Sequence, residues 1–387
     1  MKHRLGTLRT AVWLAALLAG SRAARAQVTP AAGYTPPDDT PSIGVGATIF
    51  ADYTYQADPT TKDSVGNVNH ASAFNVTRAY INVTGSISHW VSFRITPDVV
   101  RVGTTPVGDV PGITGTLTYR LKYAYGQINF SNVGGTTGPW LTNGDWIRLG
   151  MQQTPFVDFT EQIYRYRFQG TIFAERETVN GFGFLTSSDL GASLHWVFPS
   201  NFGDIHGGVY NGEGYTRPEV NEMKSWQIRG TLRPAPMVEV LKGLRLTGFY
   251  DGDSYVRGGE KQRTIAMATF ENPWGNAGFY YLWAKDRTVP SAAALESDGY
   301  TVWLTPQLPN GIGALLRYDW LEPNKNRPGV KKRYIAGLAY WFPVTKSGIA
   351  AAIMPNFEEV KYSGFAVGDA NRKPEERRWI ISSLFNF

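Results

Sequence analysis

The stretch RWIISSLFNF, residues 378–387, decides the fold. Counted back in twos from Phe387, one face holds Phe385, Ser383, Ile381 and Trp379. A helix would gather apolar residues at spacings of three and four, whereas a strand gathers them at two. An apolar face ending in an aromatic fits a strand that meets a nonpolar medium on one side.

The same period runs upstream. Ala79, Ile81 and Val83 share one face, opposite Arg78, Tyr80, Asn82 and Thr84. Val91, Phe93 and Ile95 oppose Ser92, Arg94, Thr96 and Asp98. Ile147, Leu149 and Met151 oppose Arg148 and Gln152, and Leu190, Ala192, Leu194 and Trp196 oppose Asp189, Ser193 and His195. Ile228 and Leu232 oppose Gln227, Arg229, Thr231 and Arg233. Charge on the polar face suits a water-filled lumen. The alternation alone also fits a soluble sandwich, and the connections help more.

The pattern predicts strands near 43–56, 74–87, 90–101, 117–130, 145–152, 188–198, 204–211 and 225–234. It continues at 243–251, 262–271, 276–286, 298–306, 311–321, 332–342, 347–359 and 377–387. Short connections at 88–89, 199–203, 271–275, 307–310 and 343–346 tend to alternate with longer ones at 57–73, 102–116, 153–187, 287–297 and 360–376. Two connections, 131–144 and 235–242, are long where short turns belong. An even strand count with this asymmetry predicts an all-β fold: a closed antiparallel transmembrane barrel of about 16 strands over 43–387, with both termini periplasmic. The location this implies is the outer membrane, as an integral multi-pass barrel in contact with lipid.

The ends and composition agree. Lys2, Arg4 and Arg9 precede an apolar run at 10–20, and Ala24-Arg25-Ala26 forms a small-x-small site, so 1–26 reads as a signal peptide. Residues 27–42 (QVTPAAGYTPPDDTPS) are Pro-rich and polar, a short periplasmic tail. No other apolar run reaches the roughly 20 residues of a membrane helix. A mean hydropathy of −0.25 looks soluble, but alternating faces average out in a barrel. There are no cysteines, so no disulfide framework is expected. The net charge of +6 misleads: without the five basic residues of 1–26, 33 basic residues face 32 acidic ones. A net of +1 offers no case for a nucleic-acid partner.

Residues 151–179 (MQQTPFVDFTEQIYRYRFQGTIFAERETV) form the longest excursion from the strand pattern. Aromatics mix there with Asp158, Glu161, Glu175, Glu177, Arg165, Arg167 and Arg176. Long loops within compact folds tend to be functional. An inward-folded third loop at 153–178 would narrow a lumen, and its charges would bias which ions pass. The bland alternative is an outer loop whose charges pair in water. Contact with the wall is expected at Arg78, Arg94 and Arg148.

RLGMQQTPF (148–156), FAERE (173–177), DLGASL (189–194) and VYNGEG (209–214) together resemble the phosphate-selective porin O and P family. Weaker likeness covers 42–387, including TRAYINVTG (77–85). The resemblance implies sixteen strands, a homotrimer and passage of anions, in some members phosphate. It also implies lumen arginines with clustered lysines at the constriction. Lumen parity supplies Arg78, Arg94, Arg148, Arg229, Arg233, Arg245 and Arg317, but no lysine cluster is evident near the loop. Asp98, Asp189, Asp251 and Asp319 share that parity and could pair with the arginines. The terminal aromatics Trp379, Phe385 and Phe387 resemble the signal by which barrel-assembly machinery recognises its clients.

Chemistry is hard to place. The histidines outside 1–26 are His70, His89, His195 and His206, and only the last two fall opposite each other, across the turn at 199–203. A metal there lacks further ligands. No strand-loop-helix phosphate cradle occurs. The expectation is a non-enzyme without catalytic residues, cofactor or metal: a diffusion pore for small hydrophilic solutes, anions such as phosphate foremost. The alternative is a structural or adhesive barrel with a closed lumen.

Overall fold

The computed structural model describes residues 41–88, 90–101, 115–130, 144–343 and 349–387. The signal peptide, nearly all of the Pro-rich tail, His89, and most of the connections at 102–116, 131–144 and 343–346 lie outside the described residues.

Sixteen strands close into one antiparallel barrel. They are β1 Ser42–Asp58, β2 Ser72–Ser86, β3 Val91–Arg101, β4 Leu117–Asn129, β5 Trp146–Gln153, β6 Ser188–Val197, β7 Gly203–Tyr210 and β8 Ser225–Leu232. The remainder are β9 Leu244–Asp253, β10 Glu260–Asn272, β11 Gly275–Arg287, β12 Leu295–Pro306, β13 Ile312–Glu322, β14 Val330–Trp341, β15 Ala350–Ser363 and β16 Glu376–Asn386. Each strand pairs with its neighbours in sequence, and β1 pairs with β16 to close the ring. The anticipated strands match one for one, within a few residues; Ser42, expected in the tail, already begins β1. Beside the seam, Phe387 N–H donates to Ala47 O (3.0 Å) and Ala47 N–H to Phe387 O (2.7 Å).

Closure leaves two unlike faces, as spanning a bilayer requires, although β2 and β3 are laddered only from Val83–Ser86 to Ser92–Ile95. On β8, Trp226, Ile228 and Leu232 are exposed outward, whereas Gln227, Arg229 and Thr231 are buried inward. Outward Trp379, Phe385 and Phe387 are likewise exposed. No helix is long and apolar enough to cross a membrane among the described residues; the strands do the crossing.

The segment between β5 and β6 folds into the lumen, as its length and aromatics suggest. It carries α1 (Pro155–Tyr164) and α2 (Phe173–Arg176). Pro155 opens α1, where its missing N–H costs nothing. Arg165 ends it in the left-handed conformation, with its N–H on Glu161 O at 3.0 Å. Phe156, Val157, Thr160, Ile163 and Tyr164 form one buried stripe at helical spacing.

That stripe has a matching wall. Phe156 packs on Phe249 and Tyr280, and Tyr164 on Trp303. Ile265, Met267, Leu282, Leu315, Leu321, Ile335 and Met354 join the same buried cluster. Burying a large apolar side chain contributes about 1.5–3 kcal/mol, so several together strongly favour the inward seat. Two wall glycines make room: a Cβ at Gly299 would lie 2.3 Å from Phe173 Cζ, and one at Gly313 2.6 Å from the Tyr166 hydroxyl. A lumen face polar all round is therefore not what forms. From β9 to β15 the inner face is partly apolar, because it meets the infolded segment instead of water.

Ion pairs pin the returning half of the segment to the same wall. Arg333 bonds Glu177 (2.7 Å) and Glu358 (2.5 Å), and Arg176 bonds Glu358 (2.7 Å). Arg317 bonds Asp319 (2.7 Å) and donates to Thr171 O (2.8 Å). All these groups are mostly buried, so each needs its partner.

Candidate functional site

The site is the junction between the infolded segment and the β2–β5 wall, where Thr96, Asp98, Lys122 and Tyr123 are buried. The segment's free face carries Asp158, Glu161 and Glu175. Arg167 lies between the two glutamates, in contact with Glu161 and 3.3 Å from Glu175. Burial pushes the Glu161 carboxyl up to about 7, only partly countered by Arg167. For Glu175 burial also acts upward, but Arg167 outweighs it and holds the carboxyl below its ordinary range. Asp158 accepts a bond from the Gln162 amide at 3.2 Å.

The facing wall is basic. Lys122 sits among three rings, 4.8 Å from Tyr80, 5.4 Å from Tyr123 and 5.7 Å from Tyr215, and donates to the Tyr80 hydroxyl at 2.9 Å. Arg94 lies 4.6 Å over Tyr123 and donates to Asn82 (2.9 Å) and Thr96 (3.0 Å). Arg148 lies 3.8 Å over Trp146 and donates to Gln127 (2.6 Å) and Gln153 (3.3 Å). Arg78 and Arg120 share Asp98 at 3.8 and 3.9 Å.

The partners divide the cations into two kinds. Between β9 and β15, Arg245, Arg263, Arg317 and Arg333 are each paired with a carboxylate. On β3–β5, Arg94, Lys122 and Arg148 are held by amides, hydroxyls and ring faces, which orient a cation without cancelling its charge. Below them a cavity of about 320 Å³ is lined by Arg148, Arg229, Arg233, Arg245, Asp158 and Asp204, among others.

Not every sequence-predicted residue reaches this gap. Arg148 bonds Gln153, the last residue of its own strand, and Arg78 and Arg94 bond side chains and backbone of the wall, so no hydrogen bond or ion pair joins these three to the segment among the described residues. The wall arginines that grip the segment include Arg229, over Phe159 at 4.2 Å, Arg263, which donates to Phe184 O at 3.3 Å, Arg317 and Arg333. Arg176 turns to Glu358, and Arg165 is half exposed 3.9 Å from Glu271. Of the four lumen aspartates, Asp98 and Asp319 meet arginines; Asp189 and Asp251 instead accept from the Gly212 N–H and the Ser225 hydroxyl. Lys122 was missed because β4 carries a bulge opposite Thr96 and Pro97, which skips Lys122 in the register. A bulge shifts parity, so Lys122 and Tyr123 both turn inward. Pro97, which cannot donate to a ladder, is the one cue to it in the sequence.

His195 and His206 do face each other, ring centroids 5.9 Å apart, with His195 on Asp204 at 3.0 Å. No group of three or more histidines and acids suited to a metal occurs among the described residues.

No protein-family model and no curated protein matches this chain. Solved structures do. An anion-selective porin from Comamonas acidovorans is similar at a TM-score of 0.57 and 10% identity, over 90% of this chain and 100% of that one. The outer membrane channel DcaP of Acinetobacter baumannii is similar at 0.53 and 12%, over 92% and 100%. The trimer form of OmpT, an outer membrane protein of Vibrio cholerae, is similar at 0.52 and 11%, over 90% and 100%. At these identities the likeness is one of fold. The chain is an integral outer-membrane β-barrel of sixteen strands, of the architecture that these porins and channels share.

Proposed function

We propose that this protein is a passive, non-catalytic porin that favours small anions, inorganic phosphate among them. Its anion path runs along the β2–β5 wall. One observation carries the reading: among the described residues Arg94, Lys122 and Arg148 on the β3–β5 wall have no carboxylate within ion-pair distance, Lys122 lying buried against Tyr80, while Arg317 and Arg333 across the lumen are paired. Arginine suits phosphate because its planar fork bonds two oxygens at once. The acids across the gap moderate the preference, so tight phosphate binding is not expected. The resemblance of 148–156 and 173–177 to the phosphate-selective family adds support, as does the anion selectivity of one fold neighbour, the Comamonas acidovorans porin. A homotrimer, delivered by the barrel-assembly machinery through the Trp379–Phe385–Phe387 face, belongs to the same proposal.

The test is reversal potential across planar bilayers in a salt gradient, chloride and phosphate compared. Anion-side potentials with both salts support the reading. Cation-side potentials refute it, and absence of conductance would favour a closed structural barrel.

A further inference from the structure

The outward face of β13–β16 carries an arrangement that solute passage does not use. Cross-strand register sets its rows. Towards the long-loop end, which is the outer one, Trp320, Lys332 and Lys361 lie side by side on β13, β14 and β15. The next row holds Tyr318, Tyr334, Glu359 and Arg377. Below it come Leu316, Ala336, Phe357 and Trp379, and then Ala314, Leu338, Pro355 and Ile381.

Two features of this lattice are unusual. Lys332 and Lys361 are directly opposed like charges, a pairing that destabilises a sheet. Lys361 has Glu359 at 3.0 Å, but no acid partners Lys332 among the described residues. Below them, the short side chains of Ala314, Ala336 and Pro355 leave an almost wholly apolar groove of about 710 Å³, walled by Leu316, Phe357 and Trp379. Trp320, level with the cations, and Tyr318 and Tyr334, between the cations and the groove, stand where an interfacial aromatic belt belongs.

The spacing fits one leaflet. From Lys332 to Leu338 is six residues, about 20 Å along a strand. At a tilt of roughly 40° this is about 15 Å of depth, half of a hydrocarbon core about 30 Å thick.

We propose that this face binds a phosphorylated, acylated glycolipid of the outer leaflet, with a phosphate between Lys332 and Lys361 and an acyl chain in the Ala336 groove. The anionic head turns the lysine repulsion into two charge-assisted bonds, and the chain fills apolar space. This assignment does not depend on which solute crosses the lumen.

Native mass spectrometry of the full-length barrel in detergent tests it, with bis-phosphorylated lipid A and its phosphate-free form as probes. Retention of the phosphorylated form should fall about tenfold in the double variant Lys332→Gln/Lys361→Gln, with the phosphate-free form unaffected. Lys285→Gln, at an outward lysine already paired with Glu260, should change nothing. Filling the groove with Ala336→Trp, or with Ala314→Leu should that variant not assemble, should weaken both forms. Equal retention by parent and double variant overturns the proposal. So does a groove variant that changes the oligomeric state and leaves lipid retention intact, since the face would then belong to a second copy of this chain.

Discussion

Replacing Arg94, Lys122 and Arg148 together with Gln keeps hydrogen-bonding capacity on the β3–β5 wall and removes three positive charges. The gap makes the outcome calculable. Its wall side holds Arg78, Arg94, Arg120, Lys122 and Arg148 against Asp98, and its segment side holds Asp158, Glu161 and Glu175 against Arg167. The wall has a surplus of four positive charges and the segment a surplus of two negative ones, so the triple variant reverses the sign of the local sum. In water, a unit charge about 5 Å from a passing ion acts on it with about 0.8 kcal/mol, and screening over about 8 Å roughly halves that. Three charges then amount to about 1.2 kcal/mol, close to tenfold for one ion and opposite in sense for its counterion. The anion-to-cation permeability ratio should fall by about tenfold or more, moving the zero-current potential in a tenfold chloride gradient from the anion side to the cation side. Heat-modifiable electrophoresis establishes that the variant barrel is folded. An unchanged potential in a folded triple variant would refute the reasoning: the three cations would be structural, and the pore would select by size alone.

Three further outcomes follow from named contacts. Burial pushes the Glu161 carboxyl up to about 7 beside Arg167 and Glu175, so a rise in pH through that range adds a negative charge to the segment and a fall removes one; anion preference should rise as pH falls from 8 to 6, and Glu161→Gln should abolish the change. Arg333→Met removes the cation that Glu177 and Glu358 share but leaves Glu177 on Lys331 (2.6 Å) and Glu358 on Arg176 (2.7 Å), so the loss should fall below the about 3–5 kcal/mol of a buried charge left with no partner; single-channel recordings should show larger, noisier conductance, and thermal melting an earlier transition. Deleting Phe387 removes both backbone bonds to Ala47 beside the closing seam and should lower heat-modifiable barrel in the outer membrane without lowering synthesis; wild-type amounts would rule out a role in assembly.

Strand positions were legible because burial in a barrel has period two, and lipid on one side forces it. The segment's inward turn was legible from its aromatics, which have no reason to accumulate in an outer loop. Side-chain destinations were less so, since parity counting assumes an unbroken ladder. The bulge at Thr96 and Pro97 breaks it, turning Lys122 inward where counting from Arg120 or Tyr123 alone would place only one of the two. Arg176 and Glu177 looked like pore charges in the sequence, yet they sit against Glu358 and Arg333 from β15 and β14, partners about 150–180 residues away. Nothing local identifies such a partner.

One further property was present in the sequence and is readable only in hindsight. In β11, Tyr280 and Leu282 point inward while Phe279 and Trp283 point outward, so the strand is apolar on both faces. In β10, Ile265 and Met267 point inward in the same way. A strand lining only water and lipid has no use for a second apolar face. The surplus marks the wall on which the infolded segment lies. On β3 and β4 the inward residues include Arg94, Thr96, Asp98, Arg120 and Lys122, with Tyr123 beside them. The side of the lumen on which the segment lies is thus encoded as an asymmetry between two sets of strands. The third loop needs no charge of its own to find its place: apolar area selects the covered wall, and the cations remain on the other.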